Sequence, residues 1–148
     1  MNGPVLVAVN DSDASLRAAD VAADLAARAG SALRAVAVVE PDGAGPDPDV
    51  EEALLRGREQ ACSAALTHVL RLGASHEVEA SVVLRRGRIA AEILAEATDC
   101  GADMIVVGRM ERPGHVIPAI GSHTLHVLEF ARTPVLVVPQ DTRPPGGP

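Results

Sequence analysis

Two glycines bracket the stretch of this chain best suited to holding an anion. Gly108 ends a continuous apolar run, residues 104–107, and Gly121 stands beside Ser122 where a helical pattern begins. A helix N-terminus offers unpaired N–H groups and a partial positive charge, so a strand ending near one is a place to gather phosphates. A second candidate is Asn10-Asp11-Ser12, three short polar side chains at the end of the first apolar run. Residues of this type cap a starting helix, and they also present amide, carboxylate and hydroxyl groups to a ligand.

Positioning these groups takes a sheet. Residues 5–9 read as a buried strand, and the helix after it runs through Leu16, Ala19, Ala22, Ala23 and Ala26 to a stop at Gly30. Residues 32–39 give a second strand, and residues 40–49, dense in Pro, Gly and Asp, an exposed loop. Asp49 is expected to cap a longer helix, with Glu51 and Glu52 in its first turn and Gly73 as its stop. Residues 77–84 alternate apolar with polar, as a half-exposed edge strand does. Helices are predicted over 88–100 and 121–131, and strands over 104–107 and 135–138.

Each return between parallel strands needs a crossover of helix length. The pattern therefore predicts an α/β fold, a single-domain open five-stranded parallel sheet with helices on both faces. The domain is expected to span residues 1–139, with a disordered tail over 140–148. In the strand order 3-2-1-4-5 the winding reverses between the first and fourth strands, and ligands bind beyond the carboxyl ends at such a reversal. That order brings Asn10, Asp11 and Ser12 beside Gly108, Arg109 and the loop leading to Gly121.

Composition excludes several functions. A chain of 148 residues, 47% apolar, can bury one core, which must be aliphatic because Phe130 is its single aromatic residue. Base stacking on an aromatic shelf is thereby ruled against. A net charge of −7 argues against a general nucleic-acid or anionic-membrane binder. All thirteen cationic side chains are arginines, so P-loop and Schiff-base chemistry lack their lysine. Cys62 and Cys100 stand alone in predicted helices and read as buried or half-buried thiols. The opening residues enter a strand directly, without the pattern of a signal peptide, and no apolar run approaches membrane-spanning length. A cytoplasmic location is expected.

The residues resemble one known family along nearly the whole chain. The opening VLVAVNDSDAS, Gly87 with Ile93 six residues on, the run ADMIVVG and the closing TPVLVV are similar to the first strand, third crossover, fourth strand and fifth strand of the universal stress proteins. The resemblance implies a dimeric stress-response module, and in nucleotide-binding members a G-x2-G-x9-G-[ST] motif that cradles ATP. Here the spacing survives as Gly108, Glu111, Gly121 and Ser122, with Thr124 two positions on. Glu111 replaces a glycine, adding a side chain and a negative charge where a polyphosphate would lie. Asn10 stands where binders usually carry Asp, which loses a charge able to help hold magnesium, and Asp11 is a carboxylate beside it. Arg109 and Arg112 on the same loop favour an anion. By resemblance an adenine would read the backbone of Val38, and the fifth strand, Val135, Leu136, Val137 and Val138, would meet its two-fold mate.

Two functions remain open at this stage. One is a regulatory module that binds ATP with magnesium between the first and fourth strands; the other is a nucleotide-free scaffold whose pocket Glu111 blocks. Ser122 serves equally as a plain N-cap, and Val38 as plain core. His115, His123 and His126 lie close in sequence but lack the usual i, i+4 spacing and a completing carboxylate, so they read as solvated or capping side chains. No nucleophile-base-acid order or paired-carboxylate signature stands out. At most a weak ATP hydrolysis is expected, with no residue to name as its base.

Overall fold

The computed structural model describes residues 2–41, 47–109 and 122–139. Along the chain run β1 (Val5–Ala8), α1 (Asp13–Ala29), β2 (Leu33–Val39), α2 (Pro48–Ser75), β3 (Ala80–Arg86), α3 (Ile89–Asp99), β4 (Met104–Gly108), α4 (Ser122–Phe130) and β5 (Val135–Val138). The five strands form one sheet in the order β3-β2-β1-β4-β5, every pair parallel, as the alternation predicts.

Two apolar layers hold it. Val5 and Val7 of β1 and Val106 of β4 face α1 and α2, while Leu6, Ile105 and Val107 face α3 and α4. Consecutive strand residues point to opposite faces, so central strands covered on both sides must be apolar throughout. α1 meets the sheet through Ala14, Ala18, Ala19, Ala22, Ala23 and Ala26, all buried. A face built of alanines lets its backbone sit close to the strands, which is how a core nearly free of aromatics fills its volume.

Several boundaries differ from the expected ones. α2 starts at Pro48, and its cap is Asp47, whose carboxylate accepts from the Asp49 backbone N–H at 3.0 Å. Proline at the first helical position loses no bond, because that N–H has no helical partner anyway. Gly73 does not stop α2: it is buried, and a Cβ there would lie 2.5 Å from the Cβ of Ala80. Its role is to let the crossover pack on β3. The helix ends at Ser75 instead, and β3 starts only at Ala80. Cys100 caps α3 rather than lying within it.

An ion-pair network unannounced by any local pattern fixes α3 to the sheet. Arg85 of β3 donates to Glu92 (2.9 Å), Glu96 (3.0 Å) and Asp99 (3.1 Å), and Arg34 of β2 donates to Glu96 at 3.2 Å. Glu96 is buried, with its carboxylate shared between two guanidinium groups. The hydrogen bonds it donates to Glu92, then Glu96 and Asp99, hold the Arg85 pKa above its usual value. Arg85 and Arg86 also carry β3 past the predicted end, since Arg85 is matched by these carboxylates and Arg86 by Glu59 of α2.

Candidate functional site

The first wall of the site is the turn from β1 into α1. Ser12 is the N-cap of α1 and accepts from the Ser15 N–H at 3.2 Å. Asn10 is held in the same turn: its Oδ1 accepts from the Ser12 N–H at 2.8 Å. The Ser15 hydroxyl closes a ring, accepting from the Asn10 N–H at 2.9 Å and donating to the Asn10 carbonyl at 2.8 Å. With Oδ1 committed to the turn, the Asn10 amide has its NH2 donors to offer.

The second wall is the end of β4. Gly108 passes so near α1 that a Cβ would lie 2.5 Å from the Ala14 carbonyl oxygen and 2.7 Å from its carbon. Thr124, buried on α4, donates to the Gly108 carbonyl at 3.3 Å. Its hydroxyl is therefore a strut that fixes the start of α4 against β4. Arg109 continues the strand, its N–H donating to the Val138 carbonyl at 2.8 Å.

Between these walls lies a hollow of about 90 Å³, lined by Asn10, Ser12, Ser15, Gly108, His123 and Thr124 over an apolar floor that includes Val36, Val38, Ile93 and Val127. A second hollow of about 290 Å³ adjoins it across Asn10, Val38 and Ile89, bounded by Asp11, Glu40, Arg58, Ala61 and Cys62. The two form a crevice beyond the carboxyl ends of the strands: the first hollow lies at the reversal between β1 and β4, and the second extends it across the end of β2. Its apolar lining with a few converging polar groups is the make-up of small-molecule sites. Burial, then the nearby Asp11 and Glu59 carboxylates, push the Cys62 thiol pKa up, which keeps it neutral.

Of the expected site residues, Asn10, Ser12, Val38, Gly108 and Thr124 line the first hollow and Asp11 the second, with Asn10 and Val38 shared. Ser122 opens α4 and is exposed. Glu111 and Gly121 lie outside the described residues, as do Arg112 and His115. His123 and His126 are exposed on α4, and no cluster of three or more metal-ligating side chains exists among the described residues. Sequence reading missed Ser15, Ile89, Arg58 and Cys62. Ile89 had a signal: it follows Gly87, whose φ of 143° belongs to glycine and turns the chain from β3 into α3.

A parallel sheet wound in both directions, with a crevice at the reversal and two helix starts facing it, defines a doubly wound α/β domain. This chain is a member of the universal stress protein family, whose family model matches residues 1–139. Among solved structures, a universal stress protein family member from Burkholderia pseudomallei is 28% identical, with a TM-score of 0.73, covering 93% of this chain and 96% of that one. Universal stress protein UspA from Lactobacillus plantarum is 24% identical, with a TM-score of 0.80 over 93% and 99%. A universal stress protein from Archaeoglobus fulgidus in complex with dAMP is 21% identical, with a TM-score of 0.68 over 92% and 97%. No curated protein matches significantly.

Proposed function

We propose that this chain is a regulatory module of the stress response that binds an adenine nucleotide in the crevice between β1 and β4 and works in the cytoplasm as a homodimer through β5. The carrying observation is the pair of hollows that meet at Val38, beside a turn already ordered by Asn10, Ser12 and Ser15. The base occupies the side of Val38. The phosphates extend toward Gly108, Arg109 and the start of α4 at Ser122, where N–H groups favour an anion. The dAMP complex of the Archaeoglobus relative supports a nucleotide of this class. A magnesium ion arriving with the nucleotide would offset phosphate charge, with Asp11 on the same turn but lining the second hollow. Two free cysteines suit a reducing compartment.

The β5 contact is supported by its place at the sheet edge and by Leu136, Leu128 and Phe130, which remain exposed there and on neighbouring α4. A second reading, a nucleotide-free scaffold, rests on Glu111 in place of the motif glycine. One measurement separates them. Without Trp or Tyr the chain absorbs almost nothing near 260 nm, so an adenine band that survives gel filtration and leaves on denaturation supports binding. A flat spectrum with no uptake of added ATP, AMP or dAMP, followed by uptake in Glu111→Gly, would establish the blocked pocket instead.

A further inference from the structure

The first half of the long helix is covered on one face only. The first buried residue of α2 is Cys62; before it, Leu55 packs on the core and Glu59 pairs with Arg86 of β3, while the opposite face of this half of the helix is exposed. Along this half Val50, Leu54, Gly57 and Ala61 recur at spacings of four, three and four, which is the seam by which one helix packs on another. Three of its four positions are uncovered, and Ala61 is half-buried where it lines the second hollow. Val50 is 55% and Leu54 58% exposed, and a Cβ on Gly57 would meet nothing within 4 Å.

The order of residues along the seam says what covers it. Its two large side chains come first and its two small positions last, so a second copy laid antiparallel seats Val50 of one on Ala61 of the other and Leu54 on Gly57. Charge runs the same way: Asp49, Glu51 and Glu52 precede the middle of the seam, and Arg56 and Arg58 follow Leu54, the Glu59 carboxylate after them being already paired with Arg86. Antiparallel pairing lays the acidic turn of each copy beside the arginine-bearing stretch of the other, and it opposes the two helix dipoles favourably. We propose that two copies of this chain associate through the first half of α2, by a seam separate from the β5 edge.

α2 packs on β2 and β3, at the far side of the sheet from β5. Both contacts are isologous and do not compete, so together they join dimers into larger assemblies. Ala61 belongs to both the α2 seam and the crevice, with Arg58 beside it, which puts association next to the ligand. A single helical seam buries less than a standard interface, so the association is concentration-dependent, and its charges make it salt-sensitive.

Sedimentation velocity on the full chain and three variants tests this. In Leu136→Glu, where a β5 contact is removed, a dimer is expected to persist at about 500 µM and to dissociate in about 0.5 M NaCl. Leu54→Glu added to it should weaken that dimer about tenfold or more, because a charge would enter the centre of the seam. Leu54→Glu alone should leave any β5 dimer intact while removing larger species. Leu54 is exposed, so an unchanged circular dichroism spectrum and urea midpoint show that the variants are folded. A Leu136→Glu protein that stays monomeric at this concentration, or a dimer indifferent to Leu54→Glu, overturns the proposal; the seam would then be the docking face for another protein's helix.

Discussion

Replacing Gly108 with alanine tests whether β4 and the start of α1 are held as closely as the site requires. The added Cβ would stand 2.5 Å from the Ala14 carbonyl oxygen, against an ordinary contact of 3.4 Å or more, so something must move by about 0.9 Å. Neither party can swing aside, since the obstacle is backbone. Ala14 and Ser15 are both buried, and moving them disturbs the alanine face that seats α1 on the sheet. Overpacking of this kind costs about 1–3 kcal/mol. Taking about 2 kcal/mol, the melting temperature of a chain this size falls by about 4–8 °C and the urea midpoint by about 1 M. Far-ultraviolet circular dichroism is the assay, because the chain has no Trp for fluorescence. Gly57→Ala is the control: it sits in an exposed helix interior with open space and should stabilise the chain by about 0.5–1 kcal/mol. A Gly108→Ala protein within about 0.5 kcal/mol of wild type would refute the close approach. If stability falls, the same displacement shifts the Asn10–Ser15 turn, and affinity for an adenine nucleotide should fall with it.

Three other changes have readable outcomes. Glu96→Ala strips the shared acceptor from Arg34 and Arg85; the loss should be about 2–3 kcal/mol by urea titration, below the full cost of breaking a buried pair because both arginines are partly exposed and Arg85 keeps Glu92 and Asp99. Asp47→Ala should cost about 1 kcal/mol by the same assay, whereas Asp49→Ala, inside the helix, should cost less. Burial raises the pKa of Cys62 and Cys100 above the ordinary 9.0, so the unfolded chain releases those protons first and stability falls as pH rises past about 9. With no Lys or Tyr to titrate there, a Cys62→Ala, Cys100→Ala protein should show a flatter decline of its urea midpoint between pH 8 and 10; equal slopes would mean the thiols are not desolvated.

The sheet was legible because its information is local. Strands covered on both faces are apolar runs, helices stop at residues such as Gly30 and Gly101, and right-handed crossovers leave few ways to order five parallel strands. Asn10 and Ser12 were legible as a cap for the same reason. Gly73 misled because a glycine in a helix signals either a stop or a close packing contact, and only the position of Ala80 decides which. Glu96 was invisible: it reads as one more helix charge until β2 and β3 bring Arg34 and Arg85 beneath it. The second hollow was missed for a related reason, since Arg58 and Cys62 come from a helix surface that has no meaning for the site until α2 is laid past the end of β2.

The two helix starts at the crevice are anchored unequally. α1 buries seven side chains and its first turn is cross-braced by Asn10, Ser12 and Ser15, whereas α4 buries only Thr124 and Val127. Local opening follows the amount of apolar surface that holds an element, so amides of α4 should exchange with solvent well before those of α1. A ligand proposed for this crevice would thus meet a template that is rigid beforehand and a helix whose order is cheap to lose. A ligand that touches both would register chiefly as slowed exchange in α4, and that change in local stability, with no rearrangement of the sheet, would be a signal open to whatever rested against α4 and the β5 edge.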